Sequence, residues 1–159
     1  MNYAKIKNVD IANGPGCRVS LFVSGCTNRC PGCFNKETWD FNYGNKFDIQ
    51  ALCTIMDCLE PYYIRGLSVL GGEPFDNEED VLWVLMSVKD KYPNKDIWLY
   101  TGYTYEEKKD SPLMDYIDIL VDGRFEEDKK DITLQFKGST NQRIIDIPKT
   151  RETGKIVLW

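Results

Sequence analysis

Three cysteines carry the most direct chemistry in this chain. Cys26, Cys30 and Cys33 lie in Ser24-Gly25-Cys26-Thr27-Asn28-Arg29-Cys30-Pro31-Gly32-Cys33-Phe34-Asn35, just after the apolar run Val19 to Val23. The C-x3-C-x2-C spacing puts three thiolates on one short loop. Three local thiolates can hold three irons of a cubane [4Fe-4S] cluster and leave the fourth iron open. An open metal position is where chemistry happens, by the logic that separates catalytic from structural zinc sites.

Other metals fit less well. Zinc takes four N or S ligands, usually as two separated pairs. The chain has no histidine, so a fourth zinc ligand would have to be Cys17, Cys53, Cys58 or a carboxylate, and none of these forms a second C-x2-C pair. A closed ferredoxin-type cluster needs a fourth local cysteine. A thioredoxin-like motif would leave Cys26 unexplained. Without histidine, Ser-His and Cys-His nucleophilic catalysis are excluded as well. Cys17, Cys53 and Cys58 are expected to be buried thiols, and Trp39, Trp83, Trp98 and Trp159 packing residues.

Elements must position this loop. At 159 residues the chain is read as one domain, 1–159, long enough for a real core. Charged residues make up 28% and the net charge is −5, which argues against a general nucleic-acid-binding surface. No apolar run reaches membrane-span length, and Met1 to Lys5 lacks a signal-peptide core. A cytoplasmic protein with reduced, metal-ready thiols is expected.

Cys17 to Val23 reads as a buried strand. Asp48 caps a helix to about Leu59, with Ile49, Leu52, Ile55, Met56 and Leu59 facing inward. Leu67 to Leu70 is a strand, and a helix follows from about Asn77 to Tyr92 with Val81, Leu82, Leu85 and Val88 inward. Ile97 to Tyr100 is a strand, Tyr105 to Lys109 a short helix and Ile117 to Val121 a strand. Ile132 to Phe136, Arg143 to Ile147 and Lys155 to Trp159 read as extended. Strands alternating with helices predict an α/β fold with a mostly parallel sheet. There are too few units to close eight strands, so the expectation is an incomplete, TIM-like partial β/α barrel. The cysteine loop, Gly71-Gly72-Glu73-Pro74, Thr101-Gly102-Tyr103 and Asp122-Gly123-Arg124 all follow strands, where α/β sheets bind ligands.

With these segments in view, the chain resembles the radical S-adenosylmethionine enzymes. More closely it is similar to the activating proteins of anaerobic ribonucleotide reductases. Three further segments carry that resemblance: Asn13-Gly14-Pro15-Gly16-Cys17-Arg18 before the first predicted strand, Phe34-Asn35 after the triad, and the late Gly138-Ser139-Thr140-Asn141-Gln142-Arg143. Two positions depart from the wider superfamily. Gly32 stands where an aromatic residue often precedes the third cysteine, and Asn28 where many relatives have histidine.

The resemblance implies that S-adenosyl-L-methionine chelates the open iron through its amino and carboxylate groups. Reductive cleavage would give methionine and a 5′-deoxyadenosyl radical. That radical would take hydrogen from a glycine Cα on the large subunit of the reductase, leaving a glycyl radical. A flavodoxin or ferredoxin would supply the electron. Cofactor-binding residues would be Gly32, Cys33, Phe34 near adenine, Gly71, Gly72, Glu73 and Pro74 near the methionyl amino group, Thr101, Asp122, and Arg124 on the methionyl carboxylate.

Plainer readings stand beside these. Gly71-Gly72-Glu73-Pro74 and Thr101-Gly102-Tyr103 also suit tight turns, and Asp122 and Arg124 suit ordinary surface charges. Asn141, Gln142 and Arg143 either cap the late strands or grip the partner's glycine-bearing loop. A radical enzyme acting on a small molecule and a non-enzymatic iron–sulfur or zinc protein are the competing functions.

Overall fold

A computed structural model describes residues 1–159. Seven strands form one sheet: β1 Asn2–Asp10, β2 Cys17–Val23, β3 Asn45–Lys46, β4 Ile64–Gly71, β5 Asp96–Tyr100, β6 Ile119–Asp122 and β7 Arg143–Asp146. Their spatial order is β3-β1-β2-β4-β5-β6-β7. The neighbours β2, β4, β5 and β6 are parallel, while β1 pairs antiparallel with β2 and β3, and β7 antiparallel with β6. The mostly parallel α/β sheet expected from the alternation is therefore present. It is open, with β3 and β7 as its edges.

Helices α1 Ile49–Leu59, α2 Glu78–Lys91, α3 Tyr105–Lys108 and α4 Ile147–Thr153 complete the fold. Asp48 caps α1 by accepting from the Ala51 amide. Glu78, Glu79 and Asp80 occupy the first turn of α2 and Lys89 and Lys91 its last, matching the helix dipole at both ends. Thr104 and Glu107 close a reciprocal capping box on α3, which is how so short a helix is held.

Side chains alternate across each strand. Register places Val19 and Leu21 beside Leu67 and Val69, and these beside Ile97 and Leu99. This face packs against Leu52, Ile55 and Leu59 of α1 and Val81, Val84, Leu85 and Val88 of α2 in a core of 24 buried residues. The opposite face carries Arg18, Ser20 and Phe22, then Ser68 and Leu70, then Trp98 and Tyr100. Loops cover it instead of helices.

Several expectations are corrected. Ile132 to Phe136 is not a strand: Asp131 accepts from both the amide and hydroxyl of Thr133, and Phe136 has φ +61, so the segment turns. Lys155 to Trp159 contributes one bridge, Leu158 to Ile145, rather than a strand. Ile147 begins α4 instead of ending a strand. Ile49 is exposed and Ala51 is buried in its place, Val84 is buried and Leu82 half-buried. Cys53 is exposed and Cys17 and Cys58 half-buried, not buried thiols. Of the tryptophans only Trp98 is fully buried, while Trp83 and Trp159 are exposed. β1 was unforeseen because its surface-facing residues are polar, as in Lys5-Ile6-Lys7-Asn8.

Candidate active site

The carboxyl ends of β2, β4, β5 and β6 deliver four loops to one end of the sheet. There, Cys26, Cys30 and Cys33 line one cavity of about 560 Å³ together with Phe34, Gly71, Gly72, Glu73, Thr101 and Gly102. All three cysteines are free and half-buried. No three His, Cys, Asp or Glu side chains meet closely enough to hold a single metal ion. A cubane asks for something different, since each thiolate takes a separate iron. The sulfurs must line one space rather than meet at one point.

The thiols fit that donor role. The Cys33 sulfur accepts from the Asn35 amide at 3.4 Å. The Asn28 and Arg29 amides near Cys26 and the Phe125 amide near Cys30 favour the thiolate form of those two cysteines. Hydrogen bonds of this kind stabilise cluster-bound thiolates and tune their potential. Burial raises the Cys26 and Cys30 thiols above their ordinary value against those amides. Metal binding would overcome that bias, because the ligand is the thiolate.

Main-chain bonds hold the loop. The Gly25 amide donates to Thr38 and the Glu73 amide to Gly25, so the β2 and β4 loops are tied directly. A Cβ on Gly72 would come within 2.5 Å of the Gly25 carbonyl oxygen. Glycine is therefore required there by close backbone approach.

Glu73 is the polar hub. It is 1% exposed. Its Oε1 accepts from the Phe75 amide and the Thr101 hydroxyl, and its Oε2 from the Gly102 amide and Asn28 Nδ2, at 2.8 to 3.1 Å. Burial pushes its carboxyl up to about 7, opposed by the Gly102, Thr101 and Phe75 donors. Both oxygens already take two donors, which fills a carboxylate. Glu73 thus ties the β4, β5 and cysteine loops together. Asn28 reaches it from between the first two cysteines.

The remaining expected site residues divide. Thr101 lines the cavity through its bond to Glu73. Phe34 lines it too, 62% exposed, with its ring 5.0 Å from that of Phe125. Pro74 is buried and opens the turn Pro74–Asn77; it lies outside the cavity lining. Gly32 also lies outside it and faces Glu127. Asp122 and Arg124 line an adjoining cleft of about 1160 Å³, which shares Asn28, Cys30, Gly102, Gly123 and Phe125 with the cysteine cavity. Asp122 is 1% exposed and accepts from Arg143 and from the Tyr105 amide. Arg124 is exposed.

The late polar triplet performs the capping role. Gln142 accepts from the Gly138 and Ser139 amides and donates to the Gly123 carbonyl. Asn141 donates to the Arg124 carbonyl. Arg143 joins Asp122 and Glu106. Together they fasten the loop after β6 to the start of β7. Sequence reasoning missed the far end of the cavity: Ala12, Asn13, Phe22, Leu70, Tyr100 and Phe136. Alternation along β5 held the signal, since Tyr100 shares the face of Trp98 and not that of Leu99.

Fold and site define an iron–sulfur protein of one cluster: residues 12–145 match the family model of a 4Fe-4S single cluster domain. The chain is similar to the anaerobic ribonucleoside-triphosphate reductase-activating proteins of Vibrio cholerae (44% identical, covering 91% of this chain and 97% of the relative) and of Escherichia coli K12 (43%, covering 89% and 96%). It is similar as well to that of Enterobacteria phage T4, at 40% identity covering 91% and 93%. The chain belongs to this family of anaerobic ribonucleoside-triphosphate reductase-activating proteins.

Proposed function

We propose that this chain, as a single radical S-adenosylmethionine domain of residues 1–159, is an activase that installs a glycyl radical on an anaerobic ribonucleoside-triphosphate reductase. The observation that carries the reading is the shared cavity: three free cysteines line one space with Gly71, Gly72 and the Glu73 hub. A [4Fe-4S] cluster held by Cys26, Cys30 and Cys33 would supply the one electron needed for reductive cleavage of S-adenosyl-L-methionine. That electron comes from a low-potential carrier such as a flavodoxin or ferredoxin. The products of the activity would be methionine, 5′-deoxyadenosine and a glycyl radical on the reductase's large subunit.

The chain's own residues bind, orient and shield. Cys26, Cys30 and Cys33 hold the cluster. The main chain of Gly71 and Gly72 receives the methionyl amino group, backed by Glu73 acting as a strut. Arg124 takes the methionyl carboxylate and Phe34 the adenine, while Thr101 and Asp122 keep their loops in place. The open sheet is read as the wall of an incomplete barrel, with the cavity on its inner face. No helix is long and apolar enough to cross a membrane, and free thiols suit the reducing cytoplasm.

Anaerobic reconstitution with iron and sulfide, then reduction with S-adenosylmethionine, tests this. Wild type should form 5′-deoxyadenosine and methionine, and Cys30→Ala neither. Adding the reductase should then give a glycyl radical signal in electron paramagnetic resonance. A fully loaded, reducible cluster that forms no 5′-deoxyadenosine would sink the reading and favour an electron carrier.

A further inference from the structure

The turn that follows the Glu73 hub grips the cysteine loop a second time. Asp76 and Asn77 close the turn Pro74–Asn77. Asp76 Oδ2 accepts from both the amide and the hydroxyl of Thr27, each at 2.8 Å. Asn77 Nδ2 donates to the Ser24 carbonyl at 3.1 Å. Ser24 and Thr27 stand on either side of Cys26, so one turn holds that cysteine on both flanks. A third bond fixes the carboxylate itself. The Tyr103 hydroxyl donates to Asp76 Oδ1 at 2.8 Å, and the Tyr103 ring stands edge-on to Phe75 with centroids 6.3 Å apart. Asp76 thereby joins the loops after β2 and β5.

All three donors to Asp76 are neutral. Lys108 rests over the Tyr103 ring, 4.1 Å from its centroid, rather than on the carboxylate. The charge is held in place without being cancelled. Asp76 lines neither the cysteine cavity nor the adjoining cleft, so it acts through the loop and through space. The field across the thiols is uneven. Glu73 and Asp76 are the carboxylates that bear on Cys26, while Arg124 is the cation that bears on Cys30. Taking up one electron adds one negative charge to a cluster, and a fixed carboxylate beside one of its ligands opposes that step.

We propose that Asp76 is a positioning residue of the cluster site: it fixes Cys26 through Thr27, and its charge lowers the potential at which the cluster accepts its electron. A lower potential makes the reduced cluster a stronger one-electron donor, which is what cleavage of a sulfonium demands. The inference rests on the activase reading and adds the residue that presets one ligand and biases the electron transfer.

Two measurements test it. Thr27 is exposed, so its amide relies on Asp76 for protection. In the unreconstituted chain, Asp76→Ala should speed hydrogen exchange at that amide about tenfold, while Asp76→Asn, which keeps an acceptor oxygen, should exchange near the wild-type rate. Unaltered exchange in Asp76→Ala overturns the clamp. The reconstituted proteins are then poised at the wild-type midpoint potential and read by electron paramagnetic resonance. Asp76→Asn should raise the ratio of reduced to oxidised cluster about tenfold, equivalent to about 59 mV for one electron, and Asp76→Glu should return it toward wild type. An Asp76→Asn cluster that titrates with wild type overturns the role of the charge. If that variant holds no cluster, Tyr103→Phe decides: it strips a donor from the carboxylate and leaves its charge barer, so the ratio should fall, and a rise overturns the proposal. If wild type itself binds no cluster, the activase reading has failed, and the exchange result still decides the clamp.

Discussion

The two faces of one sheet have been put to opposite uses. On the helix-covered face, Val19, Leu21, Val69, Ile97 and Leu99 are all fully buried and join the core of 24 residues. On the other face the buried apolar cluster is only Trp98, Ile119 and Val121, and Arg18, Ser20 and Ser68 take positions a core would give to aliphatic residues. The strands are the same and the residues merely alternate. Dispersion and burial stabilise the first face. The second replaces them with hydrogen bonds, which contribute less per residue but hold an open cavity in shape. Stability and chemistry are thereby separated by one residue of register.

Substitution on each face should break this comparison in opposite senses. The largest effect belongs to the cavity side. Cys33→Ala removes a half-buried thiol, so stability should change by less than about 1 kcal/mol. Iron content after reconstitution and 5′-deoxyadenosine formation should both be lost. On the helix side, Leu99→Ala should cost about 3 kcal/mol in urea unfolding, while the folded fraction still binds iron at the wild-type ratio. Should Leu99→Ala abolish iron binding in folded protein, the two faces are not independent.

Arg18→Met tests the polar floor that Asp10, Arg18, Ser20 and Ser68 form. Arg18 is fully buried and pairs with Asp96 at 2.6 Å. Asp96 keeps Arg65 at 3.2 Å and is partly exposed, so the remaining charge is not stranded. The cost should be about 2 kcal/mol, below that of breaking a wholly buried pair. It should appear first as loosening of residues 11–16, whose carbonyls Arg18 and Ser68 hold, and hydrogen exchange would report it.

These faces were not equally legible. The helix face showed in the sequence because apolar periodicity encodes it: Leu52, Ile55 and Leu59, or Val81, Leu85 and Val88, recur at helical spacing. The cysteine loop showed because its ligands are adjacent in the chain. The polar floor did not, since Asp10, Arg18, Ser68 and Asp96 are joined only by strand pairing. The segment 132–136 misled because Ile, Leu and Phe alternate there, while the Asp131–Thr133 turn and the left-handed Phe136 decide the backbone. Asn141, Gln142 and Arg143 stood out as large polar groups, but only the hydrogen bonds show that they fasten a loop.

The smallest expected effect separates the faces by pH alone. Burial raises the Asp10 carboxyl, but hydrogen bonds from Ser20, Ala12, Asn13 and Lys7 outweigh that and hold it at about 2, against an ordinary 3.8. Between those values the unfolded chain binds a proton that the folded chain does not. Stability from Asp10 is therefore complete above about pH 4 and is lost as pH falls toward 2, a contribution of about 1–2 kcal/mol with solvent screening. Asp10→Asn should be less stable than wild type by that amount at pH 5 to 7, and the gap should close between pH 4 and 2. The Leu99→Ala gap should stay level over the same range, because apolar burial has no proton to exchange. A gap for Asp10→Asn that is also level would mean that the floor is held by shape rather than by its charge.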